Sequence, residues 1–213
     1  MRRSLYLGLV MLMVLTAGCR STYYAAYEQL GVYKRDLLKK RVVEARDDQK
    51  AASQQFKDAL TRLKELYGFE GGNLEKTYNA LKRDYDRSVE KANAVRNRVQ
   101  EVETVANDLF TEWEKEITQI SSESLRQSSR TKLRETRQRY EDLHTALKRA
   151  EQSMDPVLIQ FHDQVLYLKH NLNAEAISSL KGETANIQAD IARLLEEMNA
   201  SIAQADRFIK ALP

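Results

Sequence analysis

Chemistry needs side chains of the right kind held close together, and this 213-residue chain offers few such groups at suggestive spacing. Glu141 and His144 form a Glu-x-x-His pair, which di-iron four-helix proteins use twice, once on each of two helices. The second copy is absent. His144 and His162 could approach each other if the chain folded back between them, and His170 is the third histidine. No cluster of inward carboxylates accompanies them, so no metal is expected. There is no phosphate-cradling glycine loop with its lysine, and no serine sits in a nucleophile elbow. No catalytic residue is named, and a non-enzymatic protein is expected. Four arginines remain. Arg126, Arg130, Arg134 and Arg137 follow one another at intervals of three and four, on nearby faces of one helix, where they repel one another unless a counter-charge is present. One reading makes them the contact for an anionic surface or an acidic partner. The other makes them a solvated face, balanced by Glu123, Glu135, Glu175 and Glu183.

The remaining reactive group is the only cysteine, Cys19. Arg2 and Arg3 open the chain, an apolar run follows from Leu5 to Leu15, and Leu15-Thr16-Ala17-Gly18-Cys19 closes the segment. The apolar run is too short for the roughly 20 residues that cross a bilayer. The pattern resembles a bacterial lipoprotein signal peptide and lipobox, although Thr16 stands where leucine is commoner. That resemblance implies removal of residues 1–18, diacylglycerol on the Cys19 thiol and a fatty acyl group on the new amino end, with no other cofactor. Arg20 follows where inner-membrane lipoproteins carry Asp, which implies the periplasmic face of the outer membrane. Without Arg2 and Arg3, the 34 basic residues fall to one more than the 31 acidic ones, a balance that argues against general nucleic-acid binding.

The elements that position these residues are long helices. The chain has 7 Gly and 2 Pro, and 31% of its residues are charged. From Leu74 to Ile120 the apolar residues step by three and four through Leu81, Val95, Val102, Leu109 and Ile117, a heptad seam. The rhythm resumes at Leu133, Tyr140, Leu143 and Leu147, which predicts one central spine of nearly eighty residues. Its only defect runs from Ser121 to Lys132, where Leu125 is the single apolar residue; a kink or hinge fits there. Gly68 to Asn73 and Ser153 to Pro156 read as the two turns, with Gly68 as a left-handed cap, Asp155 as a helix cap and Pro156 at the first helical position. Helices are therefore expected over about 22–67, 74–152 and 156–211, with weak points at Asn171, Asn173 and Gly182. The fold expected is all-α, an elongated antiparallel three-helix coiled-coil bundle of ~120 Å, in a single domain over 19–213. It would thin to two helices at its tips, favouring self-association or a protein partner. Tyr23, Tyr24 and Tyr27 serve equally as headgroup anchors or as core.

The lipobox, the tyrosine-rich start of the mature chain, the Gly68 to Asn73 turn and the Asp155-Pro156 turn are together similar to an uncharacterised family of Gram-negative lipoproteins with one long-helical domain of unknown function. The resemblance implies a fold and a location but brings no catalytic residue. A lipid-anchored spacer, scaffold or partner-recruiting protein is expected. The alternative is a membrane-surface module like the curvature-binding BAR architecture.

Overall fold

A computed structural model describes Tyr24, Tyr27 and residues 31–68, 74–181 and 184–212. The described residues form helices without strands, packed as an antiparallel bundle. The helices are α1 Lys34–Tyr67, α2 Leu74–Gln119, α3 Glu123–Gln152, α4 Met154–His170, α5 Ala174–Lys181 and α6 Thr184–Ala211. Cys19, the rest of the signal-like segment and Asn73 lie outside the described residues.

The first turn falls where glycine and asparagine mark it, and α1 runs back along α2. Gln55 donates to the Asp84 carbonyl at 3.2 Å, and Arg98 reaches Asp48 and Glu44 at 3.0 Å each. Gly68 closes α1 by donating to the Lys64 carbonyl, at φ −86°, so the left-handed cap expected there is not formed. The left-handed residue is Gly31, at φ 75°. It breaks the helix expected from residue 22, and α1 starts only at Lys34, where the Asp36 carboxylate accepts from the Tyr33 amide at 3.2 Å.

The expected eighty-residue spine is corrected at its defect. α2 ends at Gln119, and α3 turns back along it, so that Arg137 meets Glu114 at 2.8 Å and the Tyr140 ring meets that of Phe110 at 5.5 Å. Ser122 makes the turn possible: it is extended at ψ 118°, and its hydroxyl accepts from the Leu125 amide. Conversely, the second expected hairpin, at Ser153 to Pro156, does not form. Ser153 keeps helical angles, φ −71° and ψ −11°, and α4 continues in the direction of α3, still packed on α2 through Tyr85 and Phe161 at 5.7 Å. Pro156 is harmless there because it lies in the first turn of α4, where its missing amide has no ladder bond to lose. The chain reverses a third time after His170. Asn173 accepts from the Ala176 amide at 2.8 Å to start α5, which packs on α1 and α4. α6 then returns between α1 and α3, with Arg46 to Asp206 at 2.9 Å and Phe208 beside Tyr140.

The bundle therefore has four arms where three were expected: α1, α2, α3 with α4, and α6. The all-α antiparallel architecture stands. The likeness to three-helix curvature-binding domains has no counterpart in four arms. α2, the longest helix, spans about 69 Å, well short of the ~120 Å rod. Its core holds Phe56, Leu63, Leu81, Leu143, Leu147, Met154, Phe161, Ile187 and Ile191, all fully buried. At one end α1 starts opposite Glu112 and α6 stops at Ala211, so among the described residues only the α2–α3 hairpin continues beyond Trp113; the thinning expected at the ends of a straight spine falls instead at its former middle.

Candidate functional site

The turn at Ile120 to Ser122 sets the arginines against α2 instead of leaving them on a lone helix. Arg130, Arg134 and Arg137 of α3 line one open groove of about 370 Å³, together with Glu114 and Thr118 of α2 and with Gln138 and Glu141. Its floor is apolar, made by the buried Ile117 and Leu133. Arg137 is pinned: it bonds Glu114 and lies over the Phe110 ring, 5.1 Å from its centre. Arg126, one turn nearer the tip, pairs with Glu123 at 2.9 Å, and its Nε is enclosed without a protein partner. Arg130 and Arg134 are exposed, and neither has a carboxylate within ion-pair distance among the described residues. Glu135 bonds Arg139 instead, and Glu175 lies on α5, which packs at the end remote from Ser122. Glu183 lies outside the described residues. Two unpaired guanidiniums four residues apart over an apolar floor can bind anions. Lys132 points to the other side of α3.

There, a second groove of about 720 Å³ opens where α1 and α6 end, bounded by Tyr33, Lys34, Glu112, Trp113, Lys132, Glu135 and Leu212. Trp113 falls in the heptad stripe, a position that by its spacing belongs to the core. It is half-buried instead, and its indole N–H donates to the Ser129 hydroxyl at 2.9 Å. Nothing in the heptad pattern around Trp113 could have revealed this, because the exposure arises from distant helices that stop there.

The histidines do not converge. His144 stacks on Tyr140, with Glu103 at 3.8 Å, while His162 tilts against Tyr85 at 5.4 Å. Because no hairpin separates them, they lie on one continuing arm, about 27 Å apart along it. Among the described residues no three His, Cys, Asp or Glu side chains are grouped to hold a metal ion. Tyr140 is buried with no protein partner for its hydroxyl, and burial, followed by the nearby Glu103 charge, pushes its phenol above the ordinary value. No helix among the described residues is long and apolar enough to cross a membrane.

Tyr24 and Tyr27 are half-buried against the core. The Tyr24 hydroxyl donates to Asp108 at 2.5 Å, and the Lys34 ammonium lies 4.6 Å from the centre of its ring. These two tyrosines thus pack on the bundle, and Tyr23 lies outside the described residues.

No curated protein and no solved structure matches the chain. Residues 23–212, which span the whole bundle, match the family described as Protein of unknown function (DUF2959), and the chain belongs to that family.

Proposed function

We propose that this protein is a non-enzymatic lipoprotein held by acyl chains on Cys19 at the periplasmic face of the outer membrane, where its bundle spaces or recruits a partner. The observation that carries this reading is the segment from Arg2 to Cys19, with a short apolar run, small residues and the sole cysteine at its end. A signal of that kind leaves an anchored domain with no spare thiol, which must be held together by packing, and the continuous apolar core is suited to that. Recruitment, or self-association into a dimer, is supported by α4. Ile159 and Leu166 lie seven residues apart on one face, 62% and 46% exposed, and apolar side chains left in water at heptad spacing suit a helical partner.

The test is Cys19→Ser expressed in a Gram-negative host. The parent protein should fractionate with the outer membrane and yield an N-terminal peptide beginning at an acylated cysteine. The variant should accumulate as a longer, unacylated precursor. A variant that matures and fractionates like the parent would overturn the reading.

A further inference from the structure

The arginine groove and the docked N-terminal segment bear on each other. Tyr24 is fixed beside Asp108 of α2 and lies five positions after Cys19, at most about 18 Å of extended chain. From Asp108 to the tip at Gln119 the helix runs about 17 Å, whereas from Asp108 to its other end at Leu74 it runs about 50 Å. A membrane that holds Cys19 can therefore lie against the α2–α3 tip and cannot lie against the opposite end while Tyr24 stays docked. The tip carries what such a surface recognises. Leu125, in the first turn of α3, is 62% exposed; Arg126 is its neighbour in sequence, and Arg130 and Arg134 follow Arg126 at intervals of about one turn. The last two are unpaired with any carboxylate among the described residues. An exposed apolar side chain close to the turn, with guanidiniums beside it and over the next two and a half turns of the helix, matches a lipid surface, where acyl chains lie beneath a layer of phosphates.

We propose that the α2–α3 tip docks on the anionic phospholipid headgroups of the leaflet that holds the Cys19 anchor, so that the bundle is attached at two points and stands tip-down. This rests on the anchor reading. The groove takes lipid phosphates through Arg130 and Arg134, while Leu125 enters the interface.

The full chain is tested with a fluorescent probe on Ser121→Cys at the tip or on Lys169→Cys at the far end, mixed with vesicles of phosphatidylethanolamine and phosphatidylglycerol that carry a headgroup quencher. Quenching should be strong at position 121 and weak at 169, and it should fade with added salt. Each step in Arg126→Glu, Arg130→Glu and Arg134→Glu should weaken the tip contact by about fivefold or more. Circular dichroism checks that the helices remain. Equal quenching at both positions, or quenching untouched by charge reversal in a folded variant, overturns the proposal. So does a probe at 121 that stays unquenched while crosslinking there captures an acidic protein. The anchor is read separately, since an acylated Cys19 takes no label and a labelled one shows that the anchor reading has failed. The contrast between 121 and 169 decides the tip in either case.

Discussion

Three buried polar side chains show how the bundle treats groups that it cannot pair. Tyr140 is 7% exposed, set between the rings of Phe110, His144 and Phe208, and its hydroxyl meets no protein acceptor. Tyr140→Phe should therefore leave stability unchanged or raise it by up to about 1 kcal/mol in urea titration; a clear loss would mean that the hydroxyl has a partner. Its raised phenol also gives a pH dependence. The folded chain keeps this proton above the ordinary value of 10.0, where the unfolded chain releases it, so stability falls as pH climbs through that value. In Tyr140→Phe that alkaline loss should shrink. Gln49 of α1 is fully buried, with neither amide atom partnered, and Ser201 of α6 is equally buried and unpartnered. The pair Arg46–Asp206 puts both on one level of the α1–α6 seam. Replacing Gln49 by Leu, of similar volume, should stabilise by about 1–3 kcal/mol in thermal or urea unfolding. If helix register depends on this polar layer, the same variant will instead unfold less cooperatively.

Helices turn where their ladders can end and where a face finds cover, and only the first condition is written locally. Spin labels at Glu103 and Thr145 test the resulting correction. A continuous helix would hold them about 63 Å apart, whereas the α2–α3 hairpin, which brings His144 within 3.8 Å of Glu103, should give less than about 25 Å once label length is included. The heptad residues were legible: Leu81, Val95, Val102, Leu109 and Ile117 are buried as their spacing demands. The fold between them was less so. At Gln119 to Ser122 the chain reverses without glycine or proline, and the only local sign is a run of serines that also suits a solvated helix. At Ser153 to Pro156 the cap residues and proline mark an interruption of the ladder and say nothing about direction. Met154 and Val157 are fully buried, and that burial keeps α4 on the line of α3. The arginines could be named from their spacing. That three of them share a groove depended on the reversal, which the spacing does not contain.

For the whole molecule, four arms of which the longest, α3 continued by α4, is about 72 Å predict a maximum dimension of roughly 80 Å for one copy in small-angle scattering. A value near 120 Å would restore the straight spine. The α1–α6 seam that closes the bundle joins parts of the chain far apart in sequence: Arg46 and Asp206 are 160 residues apart, and the Lys39 ammonium donates to the Leu212 carbonyl across 173. The α1–α2 and α2–α3 seams join neighbours in sequence, so they close smaller loops and can form first. The expected order of folding is therefore that three arms gather locally and α6 completes the bundle against α1 at the end. Ala205→Gly, beside Asp206 and fully buried, should cost about 1 kcal/mol and appear in stopped-flow kinetics as an unfolding rate about fivefold faster, with the folding rate unchanged. Val99→Ala, in the core at the level where Arg98 meets α1, should slow folding instead. An even number of arms, which the sequence did not announce, makes α6 the helix on which α1 must wait.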